Sequence, residues 1–348
     1  MIEKKKIAVI GVYGTGSDFT TGQAVKCMEL IHWLQETYGT DEVQVVNTYQ
    51  WKKRPAKLVF HFIKAFVFCR NITMLPAQHG IKVFGPMAYY FNCLFHRNVH
   101  YIVIGGWLPD YLKSHDRMRK QIGALQGVFV ETKAMEMRLK EMGLKNIHYM
   151  PNFRKTEEQS EENWISERRR IPVCMYSRIT ESKGIVDGIE IVKRASEILG
   201  EPGFCLDIYG KVAEEFQLRF QELLKENHGF VRYGGVREAH EGSRILRNYF
   251  ALLFPSYYEG EGIPGTVLDA FAAGTPVLAN DWKYIREMVN TGENGVVYPF
   301  RCVEKASEEL VRMYQDSGLY QKLKEGAGRS AEYFSTERIL GEYAGYLL

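Results

Sequence analysis

Residues 255–289 read PSYYEGEGIPGTVLDAFAAGTPVLANDWKYIREMV. An apolar strand precedes this stretch, and a short, largely apolar helix is predicted over residues 266–273. Pro264 and Gly265 stand at the start of that helix and another glycine follows its end, as is usual for these residue types. A second buried strand is predicted at residues 277–279. The stretch is therefore a strand, a glycine-rich loop, a helix and a strand, which is typical of an α/β fold.

The start of this helix is a predicted anion-binding site. The first backbone N–H groups, near Gly265, Thr266 and Val267, have no acceptor within the helix and suit a phosphate group. Two carboxylates flank them, with Glu261 in the loop and Asp269 one turn into the helix. Carboxylates accept hydrogen bonds from hydroxyl groups. A phosphate site between two hydroxyl acceptors indicates a sugar nucleotide as the ligand.

The same stretch resembles the donor-site signature of retaining glycosyltransferases of sequence family four. That signature is an acid, seven residues, a second acid, a helix of small residues and then GTPV, as found here. The resemblance implies that Glu261 contacts the donor sugar and that Asp269 binds the ribose hydroxyls. The second acid of the family is usually Glu, so Asp269 is one methylene shorter. Glu259, in the tandem EGEG, is an alternative for the first acid.

A second polar cluster, SRITESKG, follows a strand predicted at residues 173–176. The resemblance implies that Arg178 and Lys183 hold the donor diphosphate, and it assigns Gly210, after the next strand, to donor binding. Arg forks onto phosphate oxygens, and Lys supplies a point charge. Charge grows on the diphosphate as the glycosidic bond breaks, so fixed cations stabilise the transition state more than the ground state. Arg178, Lys183 and Glu261 are the predicted catalytic residues.

Neither a metal nor another cofactor is expected. The chain lacks a D-x-D motif, the usual carboxylate clamp for a metal-bound diphosphate, and the two cations with the helix N-terminus replace the metal. No residue stands out as a covalent nucleophile. We therefore expect a front-face mechanism in which the leaving phosphate takes the acceptor proton, with a UDP-sugar as the expected donor.

The amino-terminal half begins with a buried strand predicted at residues 7–12. Gly11, Gly14 and Gly16 follow the pattern of a dinucleotide fingerprint only weakly. Asn47 stands where the ribose-binding acid of such a site is expected, after the second strand. Nicotinamide binding is therefore disfavoured.

Three loops of this half are candidates to contact the transferred sugar or the acceptor. The resemblance places residues 20–23 there, including Gly22 and Gln23, and a plain helix cap is the alternative. His79 follows a predicted strand, at the end where ligands bind in open α/β sheets, and a structural role is the alternative. Gly105 or Gly106 stands where family members often carry a histidine, so no catalytic histidine is expected.

Residues 51–70, WKKRPAKLVFHFIKAFVFCR, combine six cationic residues with aromatic and aliphatic ones. Such a helix can lie in an anionic membrane interface, or it can be a core helix whose lysine stems cover its polar edge. Residues 87–96 add aromatic side chains to either arrangement. The longest uncharged stretch, residues 83–95, is too short to span a bilayer, so the expected location is cytoplasmic or peripheral on the inner face of the membrane.

The composition favours some classes of protein and disfavours others. The chain has 348 residues, of which 45% are hydrophobic and 25% charged, as expected for a soluble globular protein of two domains. The net charge of +3 and the lack of a recognition motif disfavour nucleic-acid binding. Six scattered cysteines without C-x-x-C spacing are typical of reduced core residues in a cytosolic protein.

The resemblance covers nearly the whole chain and implies an α/β fold of two facing Rossmann-like domains (GT-B) with an interdomain cleft. The predicted domains are residues 1–152 for the acceptor and 153–334 for the nucleotide-sugar donor, with a helix at 335–348 crossing back to the first domain. Residues 154–170 are interpreted as a solvated connector.

The predicted activity is transfer of a hexosyl group to a glycan or polyprenyl-linked oligosaccharide, as in capsule or O-antigen synthesis. A sugar-nucleotide epimerase of the same fold and a catalytically silent sugar-nucleotide-binding scaffold are the alternatives.

Overall fold

The computed structural model describes residues 7–14, 21–155 and 169–347. The chain divides into two compact units, the first formed by Met1–Phe153 with Thr336–Leu348 and the second by Arg154–Ser335. Each unit contains one parallel sheet of six strands. Gly16, Thr20 and most of the charged connector lie outside the described residues.

The sheet of the first unit has the order β2-β1-β3-β4-β5-β6. Its strands are β1 Ile7–Gly11, β2 Val43–Asn47, β3 Asn71–Met74, β4 Asn98–Ile102, β5 Gly127–Val130 and β6 Ile147–Tyr149. The helices between and beside them are α1 Gly22–Tyr38, α2 Pro55–Phe68, α3 Gln78–Phe95, α4 Leu108–Lys113, α5 Asp116–Gly123 and α6 Lys133–Glu141. Strands β1, β3 and β5 are buried along their whole length, as parallel strands covered on both faces must be.

Gly11, the last residue of β1, serves close packing. A Cβ on Gly11 would lie 2.3 Å from Cys27 Sγ, so the absence of a side chain lets α1 approach the sheet. Asn47, at the end of β2, accepts a hydrogen bond from Tyr13 N at 3.2 Å and donates to Tyr13 O. The residue that departs from the dinucleotide pattern therefore holds the loop after β1.

The basic, aromatic segment of residues 51–70 forms a 3-10 turn, Trp51–Lys53, followed by α2. Pro55 begins α2 because a proline at the first helical position loses no hydrogen bond. The helix buries Leu58, Phe62, Ala65 and Phe66, and the ring centroids of Phe62 and Phe91 of α3 lie 5.4 Å apart. One stripe of this segment is therefore core.

The sheet of the second unit has the order β12-β11-β10-β7-β8-β9. Its strands are β7 Ile171–Tyr176, β8 Phe204–Tyr209, β9 Val231–Gly235, β10 Ala251–Phe254, β11 Val277–Asn280 and β12 Gly295–Tyr298. Its helices are α7 Ile185–Leu199, α8 Gln217–Glu226, α9 Gly242–Leu246, α10 Gly265–Ala272, α11 Val303–Gln315 and α12 Ser317–Tyr333. Two hydrophobic clusters cover the faces of this sheet. The prediction of two Rossmann-like α/β units is thus confirmed.

The final helix, α13 Thr336–Ala344, packs in the core of the first unit through Ile339, Leu340 and Tyr343. The Tyr343 hydroxyl lies 2.7 Å from Thr73 Oγ1 and 3.2 Å from His100 Nδ1. Burial lowers the pKa of His100 to about 4, so its ring is neutral at pH 7. Three buried polar groups thus satisfy one another between the sheet and the helix.

The described helices include none that is both long and apolar enough to cross a bilayer. All six cysteines are free, and Cys27, Cys69 and Cys174 are buried. The prediction that the cysteines are core residues is wrong for Cys93, which is exposed. The apolar run that suggested burial belongs to α3, and Cys93 lies on the outer face of that helix.

Candidate functional site

The strand order of the second unit indicates where a ligand binds. The chain runs from β7 to β8 and β9 on one side, and then returns to β10 on the other side of β7. The loops that follow β7 and β10 therefore leave the sheet in opposite directions and open a crevice at the carboxyl ends of the strands. Arg178 and Lys183 follow β7, and Glu261 and Asp269 follow β10.

The loop after β7 is held rigidly on both sides of Arg178. Ser177 N donates to Tyr209 O at 3.1 Å, and Ile179 N donates to Lys211 O at 2.9 Å. A Cβ on Gly210 would lie 1.8 Å from Ser177 O, so glycine is required there for contact between the two loops. The Arg178 side chain is exposed, and no described carboxylate forms an ion pair with it.

Lys183 ends a 3-10 turn, Glu181–Lys183, and is placed by the glycine that follows it. Gly184 has φ +73°, and a Cβ there would lie 2.3 Å from Pro255 O. Any other residue would be strained in this left-handed backbone conformation, and its Cβ would clash with the loop after β10. Gly184 allows the loop of Lys183 to pack directly on the loop of Glu261.

Lys183 and Glu261 form the main contact between these two loops. Lys183 Nζ lies 2.7 Å from Glu261 Oε1 and 2.8 Å from Oε2, and 4.9 Å from the ring centroid of Tyr258. The two charged side chains are only 16% and 11% exposed. Two predicted catalytic residues, 78 positions apart in the chain, are thus in contact.

Glu259 points to a different partner. Its carboxylate lies 2.7 Å from Lys283 Nζ and is 75% exposed. Trp282 donates from Nε1 to Tyr258 O at 3.0 Å and stacks on Phe300. Lys283 and Trp282, which follow β11, thus hold the outer side of the loop after β10, whereas Glu261 faces Lys183.

The amino end of α10 is open. Pro264 is the N-cap residue and forms no side-chain cap, and the amide groups of Gly265 and Thr266 have no acceptor among the described residues. Thr266 Oγ1 is buried and is likewise unpaired there. The prediction of an unpaired backbone N–H is wrong for Val267, which donates to Pro264 O at 3.1 Å because the first turn closes tightly.

Asp269 is buried and paired with a residue that the sequence analysis placed in solvent. Its Oδ1 lies 2.7 Å from Arg154 Nε, and the two side chains are 10% and 11% exposed. Burial raises the pKa of Asp269, and the charge and hydrogen bond of Arg154 act against that rise. Arg154 N also donates to Phe334 O at 3.1 Å.

The interpretation of residues 154–170 as solvated is therefore wrong at Arg154. The charged composition of the segment gave no indication that Arg154 is buried. The only available signal was its position, directly after PNF at the end of the last strand-like segment of the first unit.

Gly22, Gln23 and His79 lie at the switch point of the first unit's own sheet, where the loops after β1 and β3 leave it. Gly22 begins α1, and Gln23 Nε2 donates to Leu75 O at 2.8 Å, just after β3. His79 was predicted in a loop but lies exposed in the first turn of α3, because that helix begins at Gln78. Gly106 is buried in the turn after β4, beside Trp107.

His, Cys, Asp and Glu side chains do not gather in threes as a metal-ligand set anywhere in residues 7–14, 21–155 and 169–347. The geometry instead provides an uncompensated cation, a lysine–carboxylate pair and an open helix end within one unit. That combination suits a bound anion, and a diphosphate has the charge and the acceptor oxygens to match it.

The second unit is recognised by the family model "Glycosyl transferases group 1" over residues 155–330, just over half of the chain. The chain belongs to this family, and the resemblance inferred from the sequence is confirmed.

Two sequence relatives show how far the similarity extends. An exopolysaccharide phosphotransferase of Streptomyces coelicolor is 27% identical over 172 residues, which cover 49% of this chain and 18% of that protein. The N,N'-diacetylbacillosaminyl-diphospho-undecaprenol alpha-1,3-N-acetylgalactosaminyltransferase of Campylobacter jejuni is 24% identical over 207 residues, 59% of this chain and 52% of that protein. The chain thus spans less than two thirds of either relative.

A solved structure extends the likeness to the whole chain. The structure of HepE from Anabaena, in complex with UDP, matches with a TM-score of 0.75 at 14% identity, covering 98% of this chain and 99% of that one. At this level of identity the likeness concerns the fold.

Proposed function

We propose that this protein transfers a hexosyl group from a UDP-sugar to a glycan or polyprenyl-linked oligosaccharide, with retention of anomeric configuration. The Lys183–Glu261 pair beside the open amino end of α10 carries this proposal. Membership of the glycosyl transferases group 1 family and the binding of UDP by HepE support it. The second unit binds the donor, and the first unit binds the acceptor through the region of Gly22, Gln23 and His79.

The proposed chemistry needs neither a metal nor a covalent nucleophile. The bond between the anomeric carbon and the diphosphate oxygen breaks while the acceptor oxygen bonds to that carbon on the same face. The acceptor proton passes to the departing phosphate oxygen. Arg178, Lys183 and the amides of Gly265 and Thr266 stabilise the charge that grows on the diphosphate. Glu261 holds Lys183 in place and accepts a hydrogen bond from a hydroxyl group of the sugar.

A thermal-shift screen of nucleotide sugars in the presence of EDTA tests the donor assignment. Because a ligand that binds only the folded state stabilises it, the cognate donor should raise the melting temperature without added metal. UDP release should then depend on the acceptor, which excludes an epimerase. An absolute requirement for a divalent ion would contradict the metal-free site.

Arg178→Ala should lower kcat/KM, because it removes a charge-assisted contact with the diphosphate. The expected loss is about 1.5–3 kcal/mol of transition-state stabilisation, or about 10- to 150-fold. Donor turnover is the measurement, and Arg219→Ala, which removes an exposed cation of α8, is the control. Near-normal turnover in Arg178→Ala would rule out the role assigned to it.

We also propose that α2 carries the protein to an anionic membrane, where a lipid-linked acceptor would be found. The face of α2 opposite its core stripe leaves Val59, Phe60 and Ile63 exposed by 41%, 64% and 39%. On α3, Leu94 is 71% exposed. Apolar side chains flanked by cations favour an interface with anionic lipid.

A cavity of about 640 Å³ lies beside the same helix. Its walls include Lys53, Arg54 and Lys57, with Trp51 and no carboxylate. None of these three cations forms an ion pair within the part of the chain that the structure describes. Their uncompensated charge suits the phosphate groups of a lipid surface or of a lipid-linked acceptor.

Charge reversal tests the membrane proposal by sedimentation with anionic liposomes. Replacing Lys52, Lys53, Arg54 and Lys57 by Glu should abolish most of the binding, because each basic residue near the surface contributes about 1 kcal/mol. The control variant reverses four exposed lysines elsewhere, namely Lys145, Lys193, Lys225 and Lys322. Equal sedimentation of the two variants would show that net charge, and not α2, controls binding.

A further inference from the structure

The second signature acid has a cationic partner within its own unit. Asp269 Oδ1 accepts from Arg154 Nε at 2.7 Å. Its other oxygen, Oδ2, faces Gly242, where a Cβ would lie only 2.8 Å away. The absence of a side chain at Gly242 makes room for Oδ2, while Oδ1 holds the arginine.

The arginine that Asp269 holds lies at the open helix end. A Cβ on Gly265 would lie 2.1 Å from Arg154 Nη2 and 2.9 Å from Cζ, so the guanidinium rests against the first residue of α10. The amides of Gly265 and Thr266, which have no acceptor among the described residues, belong to the same turn. A fixed positive charge and the positive end of a helix thus converge, and both favour an anion.

A second observation points to a ligand at this place. Thr266 Oγ1 is buried without a hydrogen-bond partner among the described residues. A buried hydroxyl without a partner costs free energy that a bound acceptor oxygen would recover.

We propose that Arg154 binds the diphosphate of the nucleotide as a third cation beside Arg178 and Lys183, and that Asp269 is the residue that positions it. This inference rests on the proposed function for the presence of a nucleoside diphosphate in the site. It assigns a parallel role to the two signature acids, since Glu261 holds Lys183 and Asp269 holds Arg154. Each acid fixes a cation that would otherwise be flexible.

Titration calorimetry with UDP, UMP and uridine tests this assignment. Arg154→Gln should weaken UDP binding about 10- to 100-fold, as expected for loss of a hydrogen bond to a charged group. The loss should be smaller for UMP and absent for uridine, because only the phosphates meet the guanidinium. Arg154→Lys should recover part of the UDP affinity, since it restores the charge without the planar fork.

Two further variants keep the test decisive if Arg154→Gln folds poorly. Gly265→Ala changes neither Arg154 nor Asp269, but its Cβ would displace the Arg154 guanidinium. It should therefore weaken the binding of UDP more than that of uridine. Asp269→Asn should weaken UDP more than uridine, because the arginine loses its anchor. Melting temperatures of the variants separate loss of binding from loss of folding.

The outcomes distinguish this inference from the proposed function. If the unmodified protein does not bind UDP, the proposed function is wrong. If it binds UDP and Arg154→Gln binds equally well, only the present inference is overturned. A loss of equal size for UDP and uridine would also overturn it, because Arg154 would then support the ribose or the fold rather than the diphosphate.

Discussion

Replacing Glu131 by Ala should lower the free energy of unfolding of the first unit by about 3–5 kcal/mol, as expected when one partner of a buried ion pair is removed. Glu131 Oε1 lies 2.9 Å from Lys26 Nζ, and the side chains are 3% and 1% exposed. Among residues 7–14, 21–155 and 169–347, Lys26 would keep only the carbonyl oxygen of Val103, at 3.5 Å, and the ring of Phe153. Neither compensates a buried ammonium group.

Urea denaturation combined with hydrogen exchange of peptides from the first unit measures this loss, since the two units need not unfold together. Glu136→Ala is the matched control, because its i,i+4 ion pair with Lys140 is partly exposed and contributes at most about 0.5 kcal/mol. The double variant Lys26→Met with Glu131→Leu should recover much of the stability, since no charge stays buried. A cost near that of the control would contradict the prediction.

Lys183→Ala should lower kcat/KM by about 10²–10³-fold, as when one fixed donor to a developing negative charge is removed. The effect should exceed that of Arg178→Ala for two reasons. Lys183 is only 16% exposed, so its charge acts in a less polar medium, and its loss leaves the Glu261 carboxylate, 11% exposed, without its cation. Glu261 would then repel the diphosphate instead of holding a counter-charge.

Donor turnover with the substrate found by the thermal-shift screen is the measurement, and Lys305→Ala, which removes an exposed ion-paired lysine of α11, is the control. Lys183→Met, which keeps the aliphatic stem, separates the charge from the packing on Tyr258. Turnover of Lys183→Ala at the level of the control would refute the assigned role. A larger loss of turnover in Glu259→Gln than in Glu261→Gln would identify Glu259, and not Glu261, as the first signature acid.

The elements around the candidate site could be predicted closely because their signals are local. The helix predicted over residues 266–273 is observed at Gly265–Ala272, between strands at Ala251–Phe254 and Val277–Asn280. Proline and glycine at its ends, and apolar runs on either side, are sufficient for that prediction.

Side-chain partners were harder to predict, because a composition that favours solvent does not determine what one residue contacts. Arg154 stands in a charged segment, yet its partner Asp269 lies 115 positions away and buries it. Val267 was expected to offer a free amide, but a tight first turn uses it. His79 was expected in a loop, and its helix begins one residue earlier.

The amino-acid sequence by itself determined the two α/β units, the family and the chemical types gathered after β7 and β10, because periodicity, turn residues and motif spacing act over short distances. Only the tertiary structure decided which acid holds which cation: Glu261 holds Lys183, and Asp269 holds Arg154. Those pairs depend on loops that meet at the carboxyl ends of neighbouring strands. Their approach is set by close packing at Gly184 and Gly265, which no local pattern reveals.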